Sequence, residues 1–313
     1  MTTRATVADA KGARAPSPIR EPSSRAGKAW RWFRRYPVIP VVIVAIVAIG
    51  AIFAPWIARH DPRLGNIFDA DRPPVWQKES PISGKASKPE YLLGTDALGR
   101  DILSRIIWGA RYSLIIASIV LASGAVGGTL LGMTAGYFRG IPDELLMRLV
   151  DLTLGIPFIL VALAAVVVFG ASFTLIIALL ILFSWSGFAR NVRAETLRLR
   201  ETDYVAIARI AGAGPVRIIS QHIFPGVINT VMVLASLQVG QLILTEASLS
   251  FLGVGIPKPN PAWGSMVAEG RDYIGTSYWM SLFPGLAILF VVFATNFLGD
   301  WLRDRFDPRL RQL

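Results

Sequence analysis

YVAIARIAGAG, Tyr204 to Gly214, lies inside a polar stretch of 35 residues that runs from Arg190 to about Phe224 between long apolar segments and closes on HIFPG, His222 to Gly226. Small residues crowd its centre: Ala206, Ala208, Ala211, Gly212, Ala213 and Gly214. A short helix with so little side-chain bulk lets another protein approach its backbone closely. A membrane protein that presents one such helix at its cytoplasmic face hands a mechanical signal to a soluble partner. The rest of the chain decides whether this setting applies.

The 313 residues are 53% hydrophobic and only 17% charged, too apolar for an ordinary soluble protein. Cysteine is absent, which excludes disulfides, thiolate metal sites and a cysteine nucleophile. Two histidines, His60 and His222, cannot build a multi-histidine metal cage, so no metal site is expected. The net charge of +11 invites a nucleic-acid reading, but the basic residues segregate by topology and no nucleic acid is expected as a partner.

A bilayer core of roughly 30 Å needs about 20 apolar residues in a helix. Val38–Ile57 is one uncharged run of that length and Leu114–Ala135 is a second. Leu152–Ala189 carries no charge and is interrupted by Gly170, Ala171 and Ser172, which predicts two crossings joined by a tight turn. Phe224–Thr245, extending past Glu246, is the fifth, and Ile274–Gly299 contains the sixth. The expectation is an all-α polytopic membrane protein with six transmembrane helices and both termini on one side. Of the 32 Lys and Arg, 21 fall in 1–37, 136–151, 190–223 and 300–313, against 10 in 58–106 and 251–273. Positive charge gathers on the cytoplasmic side of short loops, so both ends are read as cytoplasmic.

The chain divides accordingly. Residues 1–36 form a basic tail without periodicity, read as disordered and ending in the interfacial aromatics Trp30, Trp32, Phe33 and Tyr36. The first transmembrane helix takes 37–58, an extracytoplasmic segment 59–108, a five-helix core 109–302 with the cytoplasmic loop 190–225, and a cytoplasmic tail 303–313. A cleaved signal peptide is the rival for the first helix. The run is long for that, and no A-x-A site follows it before Pro55-Trp56.

Gly124, Gly128, Gly132 and Gly136 recur every four residues on one face of the second span. Small residues at that spacing let two helix backbones meet in lipid, so the strip reads as a packing seam. Pro157, after Gly155, lacks an amide proton and kinks the third span near its inner start. Glu246 is the one charge well inside an apolar run. It either lines a pathway or pairs within the bundle, and with Asn296 it is a candidate for the translocation path.

YLLGTDALGRDILSRIIWGARYSL (Tyr91 to Leu114) resembles a signature of the dipeptide/oligopeptide permease family of ABC importers, in the subunit often called the C permease. GYFRGIPDELLMRLVDLTLGIPFIL (Gly136 to Leu160), LTEASLSFLGVGIPKPNPAWGSMVAEGR (Leu244 to Arg271) and FPGLAILFVVFATNFLGDWLRDRFDPRLR (Phe283 to Arg311) are similar to further blocks of that family. The opening loop resembles the EAA-type loop of such permeases through Ala208, Gly212 and Ile223 to Pro225, although its acidic position is lost at Ala206. The resemblance covers about residues 30–313. It implies a type I ABC importer permease fold, a second and different permease subunit completing the pore, two ABC ATPase subunits beneath it, and an extracytoplasmic solute-binding protein. It also implies a bacterial cytoplasmic (inner) membrane location and peptide cargo. The coupling helix would be about Tyr204–Ala213, with Tyr204, Val205, Ala206, Ala208, Arg209, Ala211, Gly212 and Ala213 meeting the ATPase. Gly214 and Pro215 would end it, and a second short helix, Val216–Ile223, would lead to Pro225.

Absences agree with that division of labour. A phosphate-wrapping G-x-x-x-x-G-K-[ST] loop is missing; Gly27-Lys28 and Gly84-Lys85 are each followed by Ala. The chain is therefore expected to be non-catalytic and to hold no cofactor, with ATP and Mg bound by partner subunits. Three alternatives stay open. The same permease could carry nickel chelates, glutathione, opines or sugars. An ion-coupled secondary transporter would need intramembrane acids, and only Glu246 and Asp151 qualify. An intramembrane hydrolase would need G-x-S-x-G or H-E-x-x-H, and neither occurs. Asp96, Arg100 and Asp101 read better as anchors of the second span than as a docking site. Pro257–Trp263 reads as a rigid turn or a gate. Segment 59–90 is long for a connector and is expected to touch the binding protein or the sister permease. His222 is expected to pack locally.

Overall fold

A computed structural model of the protein describes residues 37–306; the basic tail and the last residues of the C-terminal tail lie outside this range. The described regular structure is helical. α1 is Val38–Ile52, followed after Phe53 by a single turn, α2, Ala54–Ile57. α3 is Ile102–Phe138, α4 Ile141–Gly155, α5 Phe158–Phe169, α6 Phe173–Arg200 and α7 Asp203–Ile210. α8, Pro215–Ile218, runs through a π-turn at Ile219–Ile223 into α9, Phe224–Phe251. α10 is Trp263–Gly270 and α11 is Trp279–Phe306. Among the described residues the only β pairing is two isolated bridges, Glu79 with Ala86 and Thr95 with Asp101.

Among the described residues four helices are long and apolar enough to cross a membrane: α3, α6, the continuous α8–α9 rod and α11. The third expected span is broken. α4 and α5 are long and apolar enough to cross only together, and they meet at 81°. The cause is local. Ile156 precedes a proline and is held extended, at φ −91° and ψ 127°, while Pro157 has no N–H to continue the ladder. The first expected span, α1, is a 15-residue apolar helix, shorter than a full crossing and followed by the single turn α2. The six-rod count is thus approximate, made of four straight rods, a bent pair and a short first helix.

Two boundaries differ from expectation. α11 starts at Trp279 rather than Ile274, because Arg271–Tyr273 forms a 3-10 turn and the amides of Thr276 and Ser277 fold back onto the Tyr273 carbonyl. The expected helix Val216–Ile223 is not separate: it is the first part of the fifth rod. By contrast, the turn between α5 and α6 falls at Gly170 to Ser172, where the Ser172 hydroxyl accepts from the Leu175 amide at 3.1 Å and caps α6.

The glycine strip of α3 lies against α6. An added methyl at Gly124 would meet Ser184 Oγ at 2.3 Å, at Gly128 the Trp185 carbonyl at 2.4 Å, and at Gly132 the Ala189 carbonyl at 2.6 Å. At Gly136 it would meet the Thr196 side chain at 2.8 Å. Four successive turns of α3 therefore touch α6 backbone to backbone, which only the absence of Cβ permits.

Outside the apolar region, residues 59–101 form a stitched cap rather than a loose link. Buried Asp69 accepts from Arg72 Nε at 2.6 Å, Lys88 Nζ at 2.6 Å and Asn66 Nδ2 at 3.0 Å. Asp71 holds Ser80 and, across the fold, Ser277. Burial alone would raise the Asp69 pKa, but hydrogen bonds and charge from Lys88 and Arg72 outweigh it and hold the group below the ordinary carboxylate value. Asp101 caps α3 by accepting from the Ser104 amide at 2.9 Å.

Candidate functional site

The polar stretch 190–225 is a helical hairpin hung between α6 and α9. α7 follows Thr202 and carries Asp203 in its first turn, where a negative charge suits the helix dipole. Its end is earlier than the sequence predicts. Gly212 adopts φ +81°, the Gly212 amide bonds the Arg209 carbonyl at 3.1 Å, and the Ala213 amide bonds the Ala208 carbonyl at 3.0 Å. This bond pair is a Schellman stop, for which Gly212 supplies the left-handed residue. Gly214 and Pro215, expected to terminate the helix, start the next one instead. Gly214 is extended at φ −70° and ψ 162°, and Pro215 takes the first helical position, where a missing N–H costs nothing.

The hairpin has two unlike faces. Val205, 0% exposed, sits in a cluster with Met133 of α3, Val192 and Leu199 of α6, and Ile218, Ile223 and Val227 of the α8–α9 rod. The other face bares Ile207 at 66%, Ile210 at 87% and Val216 at 80% exposure, with Tyr204 beside them. Ala206, Arg209, Ala211, Gly212 and Gly214 are exposed too, while Ala208 and Ala213 are half-buried. A methyl added at Gly212 or Gly214 would meet nothing within 4 Å, so the turn is open to an approaching backbone. The hairpin base is tied down by Arg139 to Glu201 at 2.7 Å and by Arg200 to the Tyr137 carbonyl at 2.7 Å. His222 packs locally: its carbonyl accepts from the Tyr204 hydroxyl at 3.4 Å and its ring meets the Tyr204 ring. A rigid hairpin with one face bolted to three rods and the other bare and apolar can transmit displacement from a partner into the bundle.

The two candidate path residues are placed differently. Glu246 is 1% exposed, and its oxygens accept from Ser113 Oγ at 2.8 Å and Ser250 Oγ at 2.7 Å. It pairs within the bundle, joining α9 to α3, rather than facing an open surface. Asn296 is exposed on α11 and lies against Gly240, where an added methyl would sit 2.6 Å from its Oδ1.

A charged cluster that the sequence reading left as separate anchors ties α3 to α10. Asp96 receives Arg100 and Arg105, and Glu269 receives Arg100 Nη2 at 2.9 Å, Arg105 Nη2 at 2.9 Å and Lys258 Nζ at 3.0 Å. Burial pushes the Glu269 pKa up, but Arg105, Lys258 and Arg100 together bring it below the ordinary value. Trp263 is buried and donates from Nε1 to the Ile106 carbonyl at 2.9 Å, and Gly109 makes room for its ring. The turn 257–263 is thereby pinned to α3. Arg and Asp in the Tyr91 to Leu114 block hinted at this cluster; Glu269, more than 160 residues away, gave no signal.

Comparison with known proteins closes the identification. Residues 128–312 match the family described as "Binding-protein-dependent transport system inner membrane component". The chain is 40% identical over 260 residues, 83% of each sequence, to a putative peptide transport system permease protein of Brucella suis biovar 1 (strain 1330). It is 41% identical over 246 residues, 79% of this chain and 78% of the relative, to the glutathione transport system permease protein GsiD of Pectobacterium atrosepticum. An inward-facing structure of the MetNI methionine ABC transporter shares the fold, with TM-score 0.55 and 19% identity over 66% of this chain and 97% of that one. The chain is thus a multi-pass membrane protein with the type I fold, and it belongs to the family of inner-membrane permease components of binding-protein-dependent ABC transport systems.

Proposed function

We propose that this chain is half of the pore of an ATP-driven importer of di- and oligopeptides, and that the hairpin 190–225 is where an ABC ATPase subunit grips it. The observation that carries this reading is the division of α7 into a buried anchor, Val205, and a bare apolar face, Ile207 and Ile210. Exposed aliphatic side chains on a hairpin that lies in a polar stretch of the sequence are costly unless a partner covers them. ATP and Mg are held by two ATPase subunits; closure of those subunits pushes α7, and Val205 passes the push to α3, α6 and α9. A second, related permease completes the pore, and a solute-binding protein delivers cargo to the face formed by the cap. Both termini are cytoplasmic, in keeping with the excess of Lys and Arg on the segments that flank the hairpin side. Peptide cargo rests on relatives whose names specify peptide and glutathione, itself a small peptide.

The test is co-purification with the cognate ATPase. Gly212→Trp places a ring in the open turn and breaks the left-handed stop, so it is expected to abolish ATPase association and peptide uptake while leaving the chain membrane-inserted. Full association and uptake by that variant would show that the ATPase grips another part of the chain.

A further inference from the structure

α9 carries a strip of polar side chains along one side. Gln238, Gln241, Thr245 and Ser248 follow one another at spacings of three, four and three residues, which keeps them on one side of a helix. They cover about 15 Å along the rod, half the thickness of a bilayer core. Gln241 is exposed, and the other three are half-buried. Leu244 and Phe251 flank the strip and are exposed as well, and other sides of α9 meet the rest of the bundle. Glu246 faces α3 through Ser113, Gly240 faces Asn296 of α11, and Leu237 lies against Gly299 of α11. Gln238 marks the edge next to α6: a methyl at Gly187 would be 3.4 Å from its Nε2, and its Oε1 is buried without a hydrogen-bond partner. Thr245 and Ser248 spend their hydroxyl protons on the carbonyls of Gln241 and Leu244, which leaves their oxygen lone pairs and the Gln241 carboxamide unused.

Two free carboxamides and two hydroxyls along a lipid-embedded rod are unfavourable against hydrocarbon, and polar groups at that depth face water or protein. We infer that this strip of α9, and not Glu246, lines the path of the translocated solute in this subunit. The strip bears no ionised group, because the one intramembrane carboxylate of α9 is held by Ser113 and Ser250 away from it. Amide and hydroxyl groups can exchange hydrogen bonds with a peptide backbone one at a time without binding any side-chain charge tightly. The chemistry fits neutral backbone amides of varied sequence better than a cation or a compact anion. This inference rests on the importer reading for its cargo, but its geometry does not.

The chain lacks cysteine, so single cysteines can report water access without a background. Gln241→Cys, Thr245→Cys and Ser248→Cys would be made in the full chain, co-expressed with its partner subunits in membrane vesicles. A charged, membrane-impermeant thiol reagent is the probe, and Phe293→Cys, on an exposed apolar face of α11, is the lipid control. The reactive species is the thiolate, which hydrocarbon suppresses, so the strip cysteines should react about tenfold or more faster than the control. Reaction no faster than at Phe293→Cys would overturn the inference, whether lipid or a helix of the sister subunit covers the strip. ATPase co-purification, measured on the same vesicles, reads the importer proposal separately: labelling without ATPase binding keeps the strip and removes the importer reading, and the converse result does the opposite.

Discussion

Val205→Ala separates the two faces of the 190–225 hairpin. Val205 is fully buried among six aliphatic or methionine side chains drawn from α3, α6 and the α8–α9 rod. The substitution removes two carbons. At about 0.8 kcal/mol per buried methylene, plus a share of cavity cost because the ring of neighbours is fastened to three rods, the loss is about 2 kcal/mol. At 1.4 kcal/mol per decade, the balance between a docked and a loosened α7 shifts by roughly 30-fold. The bare face, with Ile207 and Ile210, is untouched. The expected phenotype is therefore specific: the variant still binds its ATPase and still hydrolyses ATP, but each ATP moves less cargo. The assay is peptide uptake and phosphate release measured together in proteoliposomes, with Ile210→Asp as the opposite control, expected to lose ATPase binding outright. Equal transport per ATP in Val205→Ala and the parent, or lost ATPase binding in Val205→Ala, would refute the idea that Val205 is the transmitting contact.

Three further outcomes follow from the packing. Gly128→Ala drives a methyl against the Trp185 carbonyl and should cost about 1–3 kcal/mol or more, read as a lowered melting temperature in detergent; Gly127→Ala on the next position, with nothing within 4 Å, should be neutral or slightly stabilising. Arg105→Ala strips a buried partner from both Asp96 and Glu269 and should destabilise the junction of α3 with α10 by about 3–5 kcal/mol, and Arg105→Lys should not rescue it, because an ammonium lacks the fork that bridges two carboxylates. Asp69 and Glu269 have folded pKa values below their ordinary ones, so their contribution is present above the unfolded value and is lost as pH falls through the folded one. Proteolysis of the cap in vesicles should accordingly stay flat from neutral pH down to the ordinary carboxylate range and rise only below it.

The rods were legible because lipid imposes a plain requirement, some 20 apolar residues per crossing, and the glycine strip because four-residue spacing has one meaning on a helix. The hairpin was legible as a unit, yet its register was not. Gly-Pro at 214–215 looks like a stop, and only the backbone shows that Gly212, two residues earlier, takes the left-handed conformation that the Schellman stop needs. That Val205 hides while Ile207 and Ile210 are bare could not be read either, since all three are β-branched aliphatics on eight residues of helix. The 81° break followed from Pro157 in kind but not in size. Least visible were the long-range polar links. Ser113 to Glu246 and Arg105 to Glu269 join residues more than 130 apart, and such pairs leave no periodic trace in one sequence. Read by itself, Glu246 could line a path or pair within the bundle; its two serine partners show only in the structure.

The central claim is that this bundle moves solute only when a nucleotide-hydrolysing partner drives the 190–225 hairpin. Uptake of a labelled dipeptide into proteoliposomes, with the assembled complex and with the permease subunits alone, tests it most directly. The account predicts ATP-dependent uptake by the complex and none by the permeases alone; uptake of equal rate without the ATPase or without ATP would contradict it.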